Sequence, residues 1–200
     1  MRKVLDVGGN SKTVAIPDCF DGWQRDLLDI DQRGNPDVLC DARELWRLPP
    51  RYYDAVHCSH NLEHYYRHDL LKVLKGFRMV LKKDGFAYIN VPDLLAVMTI
   101  LIEKDVDLED TLYVSPAGPI CASDIFFGYH VEIENSGNDY YAHKTGFTEK
   151  SLRRVLVENG FPYVYTSLTK GLYNISALAF LKEPDDGQKK MVAVWRGAVD

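Results

Sequence analysis

The chain has 200 residues, of which 46% are hydrophobic and 26% are charged, and its formal net charge is −5. This length and composition suit one globular domain that buries its own core. The acidic balance disfavours nucleic-acid binding, which needs a basic face, so we expect a small-molecule substrate and no nucleic-acid partner.

Further sequence features bear on the cellular compartment. None of the four cysteines stands in a C-x-x-C pair, which is typical of free thiols in a reducing compartment. Residues Met1–Asp6 run directly into an apolar strand pattern and do not resemble a signal peptide. The longest apolar run is much shorter than a bilayer span. We expect a cytoplasmic protein without a membrane partner, and a homo-oligomer is left open.

The pattern of apolar residues predicts the secondary structure in chain order. Five short apolar runs that end at turns or acids predict buried strands, at 4–7, 27–31, 37–41, 53–58 and 86–91. Apolar residues at three- to four-residue spacing, with capping residues at Asp93 and Thr148, predict helices at 70–81, 93–104 and 148–159. Two further strands, at 163–168 and 175–181, form a predicted antiparallel pair.

Strands that alternate with helices predict an α/β fold. We expect a Rossmann-like, doubly wound and mostly parallel sheet with an antiparallel C-terminal strand pair, in one domain over residues 1–182. Residues 105–147 are irregular and rich in aromatic residues, so this insertion is expected to cover a substrate site. The polar tail over 183–200 is expected to be flexible.

Candidate ligand-binding residues follow the first predicted strand, at the sheet edge where open α/β folds bind ligands. Asp6, Gly8, Gly9 and Asn10 form a turn there. Glycine in such a turn lets the backbone approach a ligand closely, although glycines also occur in turns without any ligand. The turn is therefore a candidate binding element only in combination with other residues.

Two acids follow the next two predicted strands. Asp31 stands where a carboxylate can bind both hydroxyl groups of a ribose, and Asp41 stands where a carboxylate can accept from an amino group of adenine. Each acid also has a simpler interpretation as a helix N-cap. The turn and the two acids together are more specific than any one of them.

In this order and spacing, the motifs resemble the class I S-adenosylmethionine-dependent methyltransferases, specifically the methyltransferase type 11 group. The matching stretches are Val4–Asn10, Leu28–Asp31, Asp37–Ala42, Tyr53–His64, Leu74–Pro92, Gly146–Glu149 and Glu158–Phe161. The chain departs from the family's Gly-x-Gly-x-Gly turn, because Asn10 and Ser11 follow Gly9. It also begins at the first strand, without the N-terminal helix usual in the family.

The resemblance implies S-adenosyl-L-methionine as the cofactor and methyl transfer as the reaction. It implies that the glycine turn holds the methionine part, that Asp31 holds the ribose, and that Asp41 with Ala42 holds the adenine. It further implies that Ser59 and His60 lie near the sulfur.

The stretch HNLEH at 60–64 also fits the H-x-x-E-H pattern of inverted zinc peptidases. A zinc-binding histidine pair at this spacing needs one uninterrupted helical face, but the strand that ends at Cys58 lies only two residues before His60. A third ligand would have to come from elsewhere, for instance Glu132 or Glu134. We therefore expect no metal site and place Glu63 and His64 at a helix start, with a zinc hydrolase as an alternative.

Two histidines are candidates for a general base, which would accelerate methyl transfer to a hydroxyl group. His60 follows the fourth strand, and His143 lies in the aromatic insertion. Tyr140 and Tyr141 are candidates to contact a sugar or an aromatic acceptor. All four residues also have structural interpretations. His60 could contribute only its backbone, His143 could be a loop histidine that caps the following helix, and the two tyrosines could serve packing. The acceptor itself, expected to be a hydroxyl of a small molecule or sugar, is assigned by analogy.

Two further rival functions, besides the zinc hydrolase, remain open on the sequence. A cofactor-binding module without catalysis fits the degenerate glycine turn. An NAD(P)-dependent oxidoreductase also places an acid after the second strand, but the G-x-G-x-x-G pattern is absent, since Asn10, Ser11 and Thr13 occupy the expected glycine positions.

Overall fold

The computed structural model describes residues 1–115, 117–169, 171 and 173–197. The strands within these residues are β1 Lys3–Val7, β2 Gln24–Asp29, β3 Val38–Leu39, β4 Tyr53–Ser59, β5 Leu81–Pro92, β6 Thr111–Ser115, β7 Gly118–Cys121, β8 Tyr163–Thr169 and β9 Asn174–Phe180. The α-helices are α1 Arg67–Val80, α2 Leu94–Lys104, α3 Ala122–Phe127, α4 His130–Ser136, α5 Glu149–Glu158 and α6 Asp186–Trp195. None of these described helices combines the length and the hydropathy needed to cross a lipid bilayer.

One seven-stranded sheet organises the protein, in the order β3-β2-β1-β4-β5-β9-β8. Strands β1 to β5 run parallel, whereas β9 runs antiparallel to both β5 and β8. The expected doubly wound α/β sheet with an antiparallel C-terminal strand pair is therefore confirmed. Because β1 lies between β2 and β4, the turn after β1 lies between the loops that follow those strands.

The core forms where the apolar face of α1 packs on the sheet. Leu70, Val73, Leu74 and Phe77 recur at helical spacing and are at most 2% exposed. The other two expected helices begin at the predicted caps: the Asp93 carboxylate accepts from the backbone N–H of Leu95 and Ala96, and Thr148 caps α5.

The connection between β1 and β2 holds no α-helix among its described residues. It is a loop with a single 3₁₀ turn at Asp18–Phe20. Phe20 is buried on the sheet face opposite α1, in a cluster with Trp23, Phe86 and Tyr88. The packing of this one aromatic side chain thus covers the sheet where a crossover helix would otherwise lie.

The insertion at 105–147 is more ordered than its sequence predicts. Strands β6 and β7 pair as an antiparallel hairpin, and α3 and α4 follow. A small separate core, in which Ala122 and Ile125 of the insertion pack on Val97 of α2, explains this order. Pro116 of this insertion lies outside the described residues.

The tail is also more ordered than expected. Asp185 caps α6, and Val192 of that helix is 6% exposed. The Trp195 indole Nε1–H donates to the Tyr88 hydroxyl over 2.9 Å, so the helix docks on the sheet. Residues 186–195, where the sequence predicted a flexible tail, form a helix whose Met191, Val192 and Trp195 pack in the cluster on the sheet. Residues 198–200 of the tail lie outside the described residues.

Candidate functional site

A cavity of about 550 Å³ opens at the carboxyl ends of β1, β2 and β4, and we call it the central cavity. The predicted binding residues that line it are Asp6, Gly8, Gly9, Asn10, Asp31, Ser59, His60, Tyr140 and Tyr141. Asp41, Ala42 and His143 lie outside its lining. The sheet therefore brings most of the predicted residues together, although they are distant in sequence.

The turn after β1 is tightly constrained and leaves no room for side chains at its glycines. Gly8 has a φ of +71°, and a Cβ placed there would lie 2.2 Å from Asn61 Nδ2. A Cβ at Gly9 would lie 2.1 Å from Asp6 Oδ2. Asn10, with a φ of +58°, takes the left-handed conformation that asparagine tolerates better than most residues. The turn thus presents bare backbone to the cavity.

A buried charge network supports this turn from below. Asp6 is 1% exposed, and its carboxylate accepts from Arg25 Nε over 3.0 Å and from His57 Nδ1 over 2.6 Å. Arg25 Nη1 also donates to the backbone carbonyls of Lys12 and Val14. Burial alone would raise the pKa of Asp6, but its bonds to His57 and Arg25 outweigh burial and lower the pKa. Arg25 therefore ties the loop at 11–14 to the base of the cavity.

Two acids at the end of β2 line the cavity, and the strand ends earlier than predicted. β2 stops at Asp29 rather than Asp31, so Asp29 is the acid at the carboxyl end of the strand. The Asp29 carboxylate is 8% exposed and accepts from the backbone N–H of Asn10 and of Asp31, both over 2.9 Å. Asp29 thus joins the glycine turn to the next loop.

Asp31 is held by a contact that crosses to the insertion. Arg33 donates to its carboxylate from the backbone N–H and from Nε, over 2.9 and 2.8 Å, and lowers its pKa. Tyr141 accepts from Arg33 Nη2 over 3.0 Å and donates to Asp31 Oδ2 over 3.4 Å. The insertion therefore closes one side of the central cavity through Tyr141.

Asp41 and Ala42 differ from the predicted arrangement. The Asp41 carboxylate caps the 3₁₀ helix Ala42–Arg47 and lines a neighbouring cavity of about 210 Å³, which shares Asn61 and Tyr140 with the central cavity. Ala42 is 2% exposed and packs in the core, so its side chain is not available to a ligand. A ligand that extends from the central cavity past Asn61 would reach Asp41.

The HNLEH stretch does not form the helix that a zinc-peptidase pair requires. His60 has a φ of +49°, residues Leu62–His64 form a 3₁₀ turn, and α1 begins only at Arg67. Glu63 and His64 therefore lie in the 3₁₀ turn before α1, and the expectation that they stand at the start of that helix is wrong. The Glu63 side chain instead points inward and is 1% exposed.

His143 comes from the insertion to meet this buried acid. Its Nδ1 donates to the Ile125 carbonyl over 2.8 Å, and its ring lies 4.9 Å from the ring of His64, centroid to centroid. Burial lowers the pKa of His143, which favours the neutral ring. Burial would raise the pKa of Glu63, but the three imidazoles around it, led by His60, lower it, so the carboxylate is ionised at neutral pH.

A second cavity, of about 380 Å³, adjoins the central one and is walled by the insertion. We call it the tyrosine-lined cavity, because Tyr113, Tyr129, Tyr141 and Tyr173 contribute to its lining. His60, His64 and Tyr141 line both cavities, whereas His143 lines only the second. The two cavities therefore meet at a histidine-rich wall.

Several residues of this site escaped the sequence interpretation. Arg25 and His57 lie on β2 and β4, where a charged side chain in a buried strand is a usable signal. Asp29 was hidden inside an apolar run. Asn61 stands in the HNLEH stretch itself, but nothing in its local sequence indicates that it packs against Gly8.

Comparison with known proteins agrees with this architecture. Residues 19–89 match the family profile of the methyltransferase domain. A structure of a SAM-dependent methyltransferase from Archaeoglobus fulgidus superposes with a TM-score of 0.58 and 17% identity, covering 90% of this chain and 86% of the other. This is the class I methyltransferase fold. No curated protein sequence matches the chain at a significant level.

Two further methyltransferase structures are similar to this chain. One is 1,6-didemethyltoxoflavin-N1-methyltransferase from Burkholderia thailandensis, solved with its substrate and S-adenosylhomocysteine, with a TM-score of 0.54, 19% identity, and 92% and 71% of the two chains covered. The other is magnesium protoporphyrin IX methyltransferase from Synechocystis, with a TM-score of 0.52, 17% identity, and 90% and 74% covered. The resemblance seen in the sequence is thus confirmed, and these methyltransferases act on very different molecules.

Proposed function

We propose that the protein transfers a methyl group from S-adenosylmethionine to a hydroxyl group of a small molecule or sugar. The observation that carries this proposal is the meeting of two cavities at one wall. The central cavity has bare glycine backbone and acids at neighbouring strand ends, and the tyrosine-lined cavity is suited to an organic acceptor. His60, His64 and Tyr141 stand where the two ligands would meet.

The central cavity fits the cofactor by features of the chain itself. The glycine turn, where any Cβ would collide with Asn61 or Asp6, would accept the methionine part against its backbone. Asp31 would hold the ribose, and the long 3.4 Å bond from Tyr141 is the contact that a ribose hydroxyl would replace. Asp41, in the adjoining cavity, would accept from the adenine amino group. Bound S-adenosylmethionine supplies an activated methyl group on a positively charged sulfur.

The contribution of the protein to such a transfer is alignment of the two reactants. Correct alignment of two bound reactants is worth several kcal/mol, at most about 7–11. The insertion, through Tyr140 and Tyr141, would exclude water from the wall where the two cavities meet. His143 would act as the general base: its Nδ1 is committed to the Ile125 carbonyl, so Nε2 is free to take the proton of the acceptor hydroxyl.

The experiment is a transfer assay with purified protein, S-adenosylmethionine and a panel of phenols, alcohols and sugars, in which S-adenosylhomocysteine is quantified. We expect turnover with at least one hydroxyl acceptor. His143→Ala should lower kcat by about 10²–10⁴ while cofactor affinity stays unchanged, because His143 lies outside the central cavity. His68→Ala, whose side chain is 75% exposed on α1, is the matched control and should retain activity.

Each negative result has a distinct meaning. Cofactor binding without turnover on any acceptor would favour the binding module that does not catalyse. Full activity of the His143→Ala variant would show that His143 is not the general base, while the proposed methyl transfer would still stand. The oxidoreductase alternative gains no support from the matches, which are to methyltransferases.

A further inference from the structure

We propose that Glu63, His64 and His143 bind a divalent transition-metal ion of the zinc class at the wall between the two cavities. Each residue offers one ligand atom, and these atoms all lie within 4.8 Å of one another. The proposal rests on the contacts of these side chains and not on the proposed function. It can therefore be tested with the metal alone.

The buried carboxylate of Glu63 is the first argument. Both of its oxygens are inaccessible, and neither has a hydrogen-bond partner among the described residues. His60 Nδ1 lies 3.4 Å from Oε1, a long ion-pair contact that satisfies this oxygen only weakly. A buried carboxylate with so few donors is costly, and a directly bound cation is one of the two ways in which proteins satisfy it.

The orientation of the histidines is the second argument. Metal-bound histidines typically donate their other ring N–H to a carbonyl or carboxylate. His143 Nδ1 donates to the Ile125 carbonyl over 2.8 Å, which leaves Nε2 as a ligand atom. Both ring nitrogens of His64 lie 3.2 Å from a carbonyl, Nδ1 from Ala142 and Nε2 from His60. To bind metal, His64 would therefore give up one of these two contacts through a ring rotation and keep the other.

The ligand set indicates the class of metal and the type of site. Two imidazoles and one carboxylate are typical of zinc and neighbouring transition metals rather than calcium or magnesium, which prefer oxygen ligands. Three protein ligands leave a coordination position open, as in catalytic zinc sites. His64 and His143 both line the tyrosine-lined cavity, so the open position would face the acceptor.

This site differs from the zinc-peptidase interpretation of HNLEH. The third ligand is His143, from the insertion, rather than Glu132 or Glu134, and no helical histidine pair is needed. A ring nitrogen bound to metal cannot also accept a proton. With the ion bound, His143 would therefore not serve as the base. The metal would instead lower the pKa of a coordinated acceptor hydroxyl, whose proton would pass to solvent.

The test is calorimetric titration of zinc chloride into the purified 200-residue chain after removal of metal with a chelator, followed by absorption spectroscopy of the cobalt(II) form. We expect one equivalent of zinc to bind. Glu63→Gln and His143→Ala should each weaken binding by at least about a hundredfold, because even outer-shell changes cost 10–100-fold. His130→Ala is the matched control: His130 contacts Asp124 over 3.1 Å in a different cluster and should not alter the affinity.

Several outcomes would overturn the proposal. They are the absence of zinc binding in the wild type, unchanged affinity in His143→Ala, and loss of binding in His130→Ala. If Glu63→Gln fails to fold, His143→Ala still decides the question, since His143 lies in the insertion and outside the sheet core. Titration with S-adenosylhomocysteine under the same conditions reports separately on the proposed function.

Discussion

A single added methyl group at Gly34 should displace the glycine turn without touching any ligand. Gly34 ends the 3₁₀ turn after β2, and a Cβ there would lie 1.6 Å from the backbone oxygen of Asn10. Non-bonded heavy atoms prefer a separation of about 3.5 Å, so the two backbones must move apart by roughly 2 Å. The atom encountered is backbone, which cannot rotate away, so the cost should lie near the upper end of the 1–3 kcal/mol typical of overpacking, about 3 kcal/mol.

That cost should appear in stability, in cofactor affinity, or divided between them. If the Asn10 turn moves fully, about 3 kcal/mol corresponds to a weakening of S-adenosylhomocysteine binding by more than about a hundredfold. Gly34→Ala would be measured by urea unfolding and by calorimetric titration. Gly187→Ala, in α6, is the matched control, because its Cβ would meet only Asp185 Oδ1, at 3.3 Å. Alanine is also favoured over glycine within a helix by up to about 1 kcal/mol, so this variant should not lose stability. Wild-type stability and affinity in Gly34→Ala would refute the packing described for this turn.

Three further changes test other parts of the account. Arg25→Met should cost about 3 kcal/mol at neutral pH by leaving buried Asp6 without its guanidinium partner. Because the pKa of Asp6 is lowered in the folded state, this contribution is present above the unfolded pKa of about 3.9 and is lost as the pH falls through the lower folded pKa. The free energies of unfolding in urea of variant and wild type should therefore converge in acid. A difference that stays constant with pH would exclude the ion pair. Phe77→Ala, in the core, should lose about 3–5 kcal/mol, whereas Leu71→Ala on the exposed face of the same helix should change stability by less than about 1 kcal/mol, as thermal or urea unfolding would show. Asp31→Ala should weaken S-adenosylhomocysteine binding at least about tenfold, the loss of one charge-assisted hydrogen bond, and unchanged affinity would remove Asp31 from the site.

Local patterns were sufficient for the elements that depend on local chemistry. Strand β4 and helix α1 carry continuous apolar runs or a regular apolar stripe, and Asp93 and Thr148 mark helix starts with their own side chains. The order of these elements then predicts the parallel sheet and the edge at which ligands bind. The acid predicted to end the second strand, Asp31, lies two residues beyond Asp29, where β2 ends in the structure.

Features that depend on distant partners were not predictable. The first half of β2 is polar because Arg25 pairs with Asp6 and Asp26 accepts from the Tyr53 hydroxyl over 3.2 Å, so the strand pattern began three residues too late. Glu63 and His143 are 80 positions apart and meet only through the insertion. No local pattern contains that contact, and it joins the residues of the candidate metal site.

The central claim, that the central cavity holds a nucleoside cofactor, is tested most directly by calorimetric titration of the wild-type protein with S-adenosylhomocysteine. We expect one binding site with a Kd of about 10 µM or tighter, near −7 kcal/mol, and clear loss of affinity in Asp31→Ala and Gly34→Ala. The absence of binding to a folded protein, or binding that both substitutions leave unchanged, would contradict the account.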